Sequence, residues 1–251
     1  MKNKYLWLFI ASLFLFVIKA GAQDLKDANK ILAKTDETVF AVKDKSAIIE
    51  MRLMNLKRDK VKVKKAVILQ KGTDKKLFRY FYPKADSGIA VLSLPDNQVY
   101  LYLSLFKKAK KITNLAEKNK FNKSDFSFNE MVTKPYSEKY TPKLIGRTDT
   151  SYVLKLIPKD SETYAYVLAT INKKFFYPEQ LEYFDDKGEK IKQENFHFIK
   201  VKGIWVADET TMTNIQKKHM TKITMTDIKI NTGLSDEIFT IKNLESKNKG
   251  S

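Results

Sequence analysis

The stretch AIIEMRLMNLKRDKVKVKKAVIL, residues 47–69, decides the fold class of this chain. Ile49, Met51 and Leu53 stand at alternate positions in its first half, and the second half has the same period, with valine or leucine at positions 61, 63, 67 and 69 and lysine at 65. A period of two is typical of β-strands, whose successive side chains point to opposite faces. Residues 57–60 separate the two halves and are short enough for a turn. The stretch therefore predicts two antiparallel strands joined by a tight connection.

The same alternation continues along most of the remaining chain. Short polar turns, such as Asp185-Asp186-Lys187-Gly188 and Lys202-Gly203, separate the apolar runs, and turns of this length join antiparallel neighbours. About 10–11 strands are predicted in total. Besides the first two, they are residues 76–82, 89–94, 98–106, 152–157, 164–171, 180–184, 189–201, 204–215 and 219–230.

Many of these predicted strands have apolar or aromatic residues on both faces. An open sheet with one wet face does not need this pattern, whereas a curved sheet covered by helices does. Residues 24–42 have apolar residues at helical spacing, and Ser127 and Glu130 have the spacing of a capping box. We therefore predict a mainly β fold with a few helices: a curved, antiparallel, unclosed β-barrel with a helical lid over an apolar cavity.

The first 22 residues have the pattern of a cleavable export signal. Lys2 and Lys4 precede an apolar run from Tyr5 to Ile18, and Ala20-Gly21-Ala22 provides the small residues of a cleavage site. The run is shorter than the roughly 20 residues of a spanning helix, so an uncleaved anchor is the weaker alternative. We predict cleavage after Ala22, a periplasmic mature protein, a ligand-binding domain over residues 23–244 and a flexible tail over 245–251.

The composition excludes several classes of partner and anchor. The chain has no cysteine, so it has neither disulfides nor a cysteine to which lipid could be attached. The formal net charge is +18, but arginine occurs only at Arg52, Arg58, Arg79 and Arg147. Nucleic-acid recognition favours the planar guanidinium of arginine, so nucleic acid is not an expected partner. The lysines indicate a solvated surface, with transient contact with an anionic membrane as the alternative. We expect a monomer.

Residue patterns typical of catalysis are missing from the sequence. There is no cysteine nucleophile and no Gly-x-Ser-x-Gly elbow. His197 and His219 lack metal-ligand spacing, and the turn at residues 185–188 lacks the acids of a calcium loop. Asp125 fits helix capping better than acid catalysis. We predict no enzyme activity, no metal and no cofactor; a cofactor-free enzyme acting on a hydrophobic substrate is the least favoured alternative.

A set of short segments, in order along residues 78–244, has a recognisable pattern. They include Phe78-Arg79-Tyr80-Phe81-Tyr82-Pro83, Tyr100-Leu101-Tyr102-Leu103, Ser124-Asp125-Phe126-Ser127-Phe128, Tyr183-Phe184-Asp185-Asp186-Lys187-Gly188, Trp205 and the stretch NTGLSDEIFT at residues 231–240. This set resembles the outer-membrane lipoprotein-sorting family of the LolA-like superfamily. Two departures are Leu103-Ser104, where the family has Leu-Pro, and Phe121-Asn122-Lys123, where it has glycines.

The resemblance implies a function as well as a fold. It implies a carrier that binds the acyl group of lipoproteins, or a similar hydrophobic ligand, in the cavity. An inner-membrane transporter that delivers the ligand and an outer-membrane acceptor are the implied protein partners. A related fold is the sensor domain of envelope-stress regulators, so a regulatory binding module is the alternative function.

The candidate ligand contacts are apolar and aromatic residues of the strands and of the lid. Their collective excess indicates a cavity, because each acyl methylene that is buried contributes roughly 0.8 kcal/mol to binding. The resemblance adds Arg79 as a contact to the lid. The predicted lining residues are Leu53, Phe78, Tyr80, Tyr82, Ile89, Val91, Tyr100, Tyr102, Phe126, Phe128, Met131, Tyr164, Tyr166 and Trp205.

Overall fold

The computed structural model describes residues 25–58, 60–113, 121–131, 134–160 and 164–246, and the predicted signal peptide lies outside them. The α-helices of these residues are α1 (Ala28–Val39), α2 (Phe128–Met131), α3 (Tyr136–Lys139) and α4 (Ile241–Glu245). Their strands are β1 (Asp44–Asn55), β2 (Lys60–Lys71), β3 (Lys75–Tyr82), β4 (Ala90–Leu94), β5 (Gln98–Leu103), β6 (Lys108–Ile112), β7 (Tyr140–Arg147), β8 (Ser151–Pro158), β9 (Tyr166–Asn172), β10 (Pro178–Phe184), β11 (Lys190–Val201), β12 (Ile204–Asn214) and β13 (His219–Ile230).

Within the described residues, thirteen strands form one sheet in the order β6-β5-β4-β3-β2-β1-β13-β12-β11-β10-β9-β8-β7. Two antiparallel meanders, β1 to β6 and β7 to β13, join where β1 pairs with β13. In that register Met51 lies opposite Ile223, and Leu53 lies opposite Thr221. The sheet is not closed, since β6 and β7 are its two edges. This architecture confirms the predicted fold class.

Two strands, β6 and β7, are missing from the sequence-based prediction. Both are edge strands. Three of the five residues of β6 are lysines, and β7 contains Pro142. Edge strands accommodate lysine and proline because one side of the strand forms no ladder hydrogen bonds. The residues that protect these edges also interrupt the apolar alternation, so the pattern in the sequence is lost there.

The sheet curls until distant strands face each other. β3 and β11 are five places apart in the strand order, which is about 24 Å in a flat sheet with roughly 4.8 Å between strands. Nevertheless Lys76 of β3 and Glu194 of β11 line the same cavity, and the charge of Glu194 affects the pKa of Lys76. The inner face of the sheet therefore surrounds an interior.

The main hydrophobic core occupies this interior. It joins strand residues from both meanders, such as Ile49 and Leu154, with Ile31 and Leu32 of α1. Residues 121–131 and 134–139, here called the lid, lie between the two edge strands in sequence and contribute Phe121, Phe126 and Phe128 to the same core. The helices and the lid therefore cover the inner face.

The first helix begins later and ends earlier than the predicted 24–42 helix. The Asp27 carboxylate caps it by accepting hydrogen bonds from the N–H groups of Asn29 and Lys30. Near its other end, the Asp36 carboxylate accepts hydrogen bonds from the N–H groups of Tyr136 (2.6 Å) and Ser137 (2.9 Å) at the start of α3. This capping joins α1 to the lid. None of the described helices has the length and apolar character needed to cross a membrane.

A smaller core lies on the outer face of the sheet. Leu77, Leu92 and Tyr102 alternate with inward residues of β3 to β5, and Phe239 and Leu244 cover them. The stretch 231–240, which contributed to the family resemblance, therefore leads the chain onto the outer face, and α4 follows it there.

Asp44 fixes the turn that leads from β13 to this last segment. Its buried carboxylate accepts hydrogen bonds from the N–H and hydroxyl of Thr232 (2.7 and 2.9 Å) and from the N–H of Gly233 (2.9 Å). Burial by itself would raise the pKa of Asp44, but these hydrogen bonds lower it below its usual value. The carboxylate therefore stays charged and holds the turn after β13.

Candidate ligand-binding cavity

A cavity of about 210 Å³ lies in the interior, between the curled sheet and the helical elements that cover it. Strands β1 to β3 form one wall, strands β10 to β12 form another, and α1 and the lid complete the enclosure. The lining residues are Val39, Phe40, Val42, Lys45, Gln70, Lys76, Glu130, Lys134, Tyr136, Lys139, Tyr140, Pro178, Leu181, Tyr183, Glu194, Phe196, Phe198, Trp205, Val206 and Ala207.

The wall formed by β11 and β12 is aromatic. Phe196, Phe198 and Trp205 line the cavity from these strands. The Trp205 ring lies 4.7 Å from the Phe175 ring and 5.2 Å from the Tyr177 ring, and Tyr177 stacks on Phe198 at 4.6 Å. Side chains held in this way lose little rotamer freedom when an apolar ligand binds. This wall, which we call the aromatic wall, is preorganised for an apolar group.

The facing wall, formed by β1 to β3, is basic. Lys45, Gln70 and Lys76 line the cavity from these strands and stand opposite one another in the strand registers. Burial lowers the pKa of Lys45 to about 8. Burial, together with the charges of Lys45 and Lys139 and against the attraction of Glu194, lowers the pKa of Lys76 to about 7. We call the row Lys45-Gln70-Lys76 the basic row.

Two carboxylates also line the cavity. Glu130 of α2 forms an ion pair with Lys192 at 3.1 Å. Glu194 accepts a hydrogen bond from the Tyr183 hydroxyl at 2.7 Å. Burial raises the pKa of Glu194 to about 7, although the hydrogen bond from Tyr183 opposes this rise. Glu130 is therefore committed to Lys192, and Glu194 is only partly ionised at neutral pH.

A polar contact, which we call the latch, holds the lid to β13. The buried Asp125 carboxylate accepts hydrogen bonds from the Thr221 hydroxyl at 2.7 Å and from Nδ1 of His219 at 2.5 Å. Asp125 therefore binds Thr221, 96 residues away in sequence, and does not form the predicted cap of α2. The predicted capping box is present: the N–H groups of Ser127 and Glu130 each donate to the other residue's side chain, at 2.7 and 3.1 Å.

Aromatic side chains of the lid occupy much of the interior. Phe121 is fully buried, and its ring lies 5.0 Å from Phe78, 6.4 Å from Tyr80 and 5.7 Å from Phe128. The remaining 210 Å³ exceeds an engineered cavity of about 150 Å³ that binds benzene, but is below the roughly 300–1,000 Å³ of drug-sized pockets. It is therefore large enough for part of an acyl chain. A longer chain requires the lid aromatics to move.

The predicted lining residues fall into distinct places. Trp205 lines the cavity itself. Tyr100 and Tyr102 lie with the outer core, Tyr166 stacks on Phe184 at 4.8 Å, and Tyr82 is exposed. Met131 lies in α2, and its side chain is outside the described part of the structure. Those that belong to the inner core or pack against it are Leu53, Phe78, Tyr80, Ile89, Val91, Phe126, Phe128 and Tyr164. Their role as ligand contacts stays a prediction.

Arg79 lies on the outer face of β3. Its Nη2 donates hydrogen bonds to the carbonyl oxygens of Asn243 (3.2 Å) and Leu244 (3.3 Å) at the end of α4. The arginine expected to contact the lid therefore holds α4 on the opposite face of the sheet. A groove of about 750 Å³ lies beside this contact. Its lining comes from the first meander and the C-terminal segment, not from both halves of the sheet.

Reasoning from the sequence missed the basic row, Glu194 and the two phenylalanines of the aromatic wall. The sequence contained a signal for the lysines, because residues an even number of positions apart in a strand lie on the same face. Lys45 therefore shares a face with the buried Ile49, and Lys76 shares one with the buried Phe78. With 47 lysine and arginine residues in the chain, parity alone could not separate inward lysines from solvated ones.

The histidines and acidic residues show no arrangement for metal binding in the described ranges, where no cluster of three or more His, Cys, Asp or Glu side chains occurs. His197 contacts Asp208 at 2.7 Å, and His219 belongs to the latch. The Asp185 carboxylate accepts hydrogen bonds from the N–H groups of Lys187 and Glu189, as a hairpin turn requires.

Solved structures share this architecture. A protein domain from Vibrio parahaemolyticus, described as outer membrane lipoprotein-sorting, is 24% identical with a TM-score of 0.78, covering 87% of this chain and 98% of its own. A DUF1329 family protein from Desulfovibrio piger is 20% identical with a TM-score of 0.79, covering 86% and 97%. A LolA superfamily protein from Nitrosomonas europaea is 21% identical with a TM-score of 0.71, covering 85% and 97%.

The fold thus defines the class: an open antiparallel sheet with a helical lid, as in LolA-like proteins. The resemblance read from the sequence is confirmed at the level of the fold. A family model described as "Uncharacterized protein" matches residues 72–246, and the chain belongs to that family. No curated protein matches the chain.

Proposed function

We propose that this chain is an exported carrier that binds the acyl group of a lipoprotein, or a similar hydrophobic ligand, in the interior cavity. The observation that supports this most directly is the aromatic wall, which faces a cavity enclosed by the sheet, α1 and the lid. The LolA-like fold supports it as well, because one solved protein with this fold is described as lipoprotein-sorting.

The size of the cavity is consistent with reversible binding. Burying about seven methylenes of an acyl chain at roughly 0.8 kcal/mol each would contribute about 6 kcal/mol before ordering costs. Alone, that corresponds to a dissociation constant of roughly 10–100 μM. A longer chain adds further methylenes but must displace buried rings such as Phe121. A carrier has to release its ligand, and this balance permits both uptake and release.

The expected location follows from the predicted signal peptide, and the expected partners follow from the family resemblance. A protein exported by the predicted signal and cleaved after Ala22 is placed in the periplasm. There it would receive its ligand from an inner-membrane transporter and pass it to an outer-membrane acceptor. The basic surface, with a net charge of +18 for the whole chain, favours transient contact with anionic membranes on the way.

Native mass spectrometry with lipid extraction tests the proposal. The protein is purified from its native envelope without detergent exchange, and its mass and extractable lipids are compared. We expect an acylated species to co-purify. A protein that emerges empty, and that then binds no acyl probe, would overturn the proposal; turnover of a hydrophobic substrate would favour an enzyme instead.

A cavity-filling variant places the ligand. The chain has two tryptophans, Trp7 in the predicted signal and Trp205 in the cavity, so the processed protein reports on the cavity by fluorescence. A bromine-labelled ten-carbon acyl probe should quench Trp205. Ala207→Phe fills part of the cavity and should weaken binding of the probe, measured by quenching, at least tenfold. Ala85→Phe, at an exposed alanine, should leave the affinity for the probe unchanged. Equal quenching in both variants would place the ligand elsewhere.

A further inference from the structure

Lysine side chains line the cavity on the side opposite the aromatic wall. Four lysines line the cavity: Lys45, Lys76, Lys134 and Lys139. The two carboxylates that share it are Glu130, already paired with Lys192, and Glu194, which is partly protonated at neutral pH. The cavity is therefore lined by more basic than acidic side chains.

Lys45 shows this excess most clearly. Within the residues that the structure describes, its ammonium group forms neither a hydrogen bond nor an ion pair. Removing an ammonium group from water costs several kcal/mol unless an anion or hydrogen-bond acceptor compensates. Its charge also lowers the pKa of Lys76, because the two ammonium groups lie on the same wall and repel each other. An anion beside Lys45 would therefore compensate for the partial burial of its ammonium group.

The strand registers turn these side chains into a site. Lys45 lies opposite Gln70, and Gln70 lies opposite Lys76, so the three stand side by side across β1, β2 and β3. Directly opposed residues have Cβ atoms about 4.5–5.5 Å apart. An ammonium on each side of an amide can thus bracket one small anion. Carboxylate and phosphate are the anions that lysine binds most readily in proteins.

We infer, on the basis of the proposed function, that the ligand is a single-chain amphiphile whose anionic head, a carboxylate or a phosphate, binds the basic row while its chain lies on the aromatic wall. Both walls line the same cavity, so one molecule can contact both. Among the ligands that the proposed function admits, this selects fatty acids and alkyl phosphates, which are similar hydrophobic ligands, over the uncharged, ester-linked acyl groups of lipoproteins.

Four probes with ten-carbon chains and different head groups test the contribution of the head group separately from that of the chain. Decanoate, decyl phosphate, decanol and decyltrimethylammonium are titrated into the delipidated protein, with quenching or calorimetry as the readout. We expect the two anions to bind at least tenfold more tightly than decanol, and the cation to bind more weakly than decanol. Acetate and inorganic phosphate, which lack the chain, should not compete at the same concentrations.

Two variants test the basic row. Lys45→Met and Lys76→Met keep the length of each side chain and remove its charge. Each should weaken decanoate binding at least tenfold and leave decanol binding equal or tighter, because the cavity becomes more apolar. Lys229→Met, at an exposed lysine of β13, is the matched control and should change neither. Thermal unfolding should show that both cavity variants fold and melt no lower than the original chain.

The outcomes distinguish this inference from the proposed function. Equal affinity for decanoate and decanol, or decanoate binding that survives Lys45→Met and Lys76→Met, would overturn the anionic head while leaving an acyl carrier intact. Competition by inorganic phosphate alone would replace the amphiphile with a free anion. Failure of all four probes to bind would overturn both.

Discussion

Asp125→Ala is expected to release the lid from the sheet and to destabilise the fold by about 3–5 kcal/mol. The Asp125 carboxylate accepts hydrogen bonds from Thr221 at 2.7 Å and His219 at 2.5 Å, and its side chain is fully buried. A hydrogen bond to a charged carboxylate contributes about 1.5–3 kcal/mol, and the variant loses two of them. Thr221 is also fully buried, so its hydroxyl loses its acceptor.

Two measurements on the same variant separate the lid from the rest of the fold. Urea unfolding, followed by Trp205 fluorescence, gives the change in the free energy of unfolding. Hydrogen exchange followed by mass spectrometry should show that the amides of residues 121–131 lose protection first, while those of β8 and β9 lose it only with global unfolding.

Thr221→Val is the smaller matched change, because it removes one hydroxyl at nearly constant volume. We expect it to cost about 1–2 kcal/mol, and a double-mutant cycle with Asp125→Ala should give a coupling energy of at least about 1 kcal/mol. Additive effects, or a uniform loss of protection over the whole sheet, would refute the idea that Asp125 holds the lid.

Three further predictions concern the interior and the outer face. Phe121→Ala should cost about 3–5 kcal/mol in unfolding free energy and should shift the preferred acyl probe to a longer chain, which a probe-length series would detect. The empty protein should be least stable near pH 7. Below pH 7, Glu194, whose folded pKa is raised to about 7, binds more protons in the folded state than in the unfolded state, so stability falls as the pH rises. Above pH 7, Lys45 and Lys76, whose folded pKa values are lowered to about 8 and 7, bind fewer protons in the folded state, so stability rises again. A monotonic stability curve between pH 5 and pH 10 would contradict this. Arg79→Met should speed amide exchange in α4 and leave decanoate affinity unchanged, and a loss of affinity would show that α4 contributes to the cavity.

The long hairpins were predictable because each one is a local pattern. Residues 47–69 alternate over most of their length, and the observed β1 and β2 extend that stretch by a few residues at each end. The capping box at Ser127 and Glu130 was predictable for the same reason, since both of its hydrogen bonds lie within three residues. The edge strands β6 and β7 were not, because the lysines and proline that suit an edge interrupt the alternation.

Roles that depend on distant partners could not be predicted residue by residue. Asp125 has the local context of a helix cap, but its carboxylate binds Thr221 and His219 of β13. Arg79 matches a position where the resemblance implies a lid contact, but strand parity directs it to the outer face and α4. In both cases the side chain's partner lies more than 90 residues away in sequence.

The amino-acid sequence by itself determined the class of this protein: an antiparallel, mainly β fold with helical cover, identifiable because side-chain alternation and turn chemistry act between neighbouring residues. Only the tertiary structure decided which charges face the ligand cavity. The row of Lys45, Gln70 and Lys76 exists through the registers of three strands, and it faces Phe198 and Trp205 because the sheet curls. Register and curvature result from packing over the whole sheet, so no window of the sequence contains them.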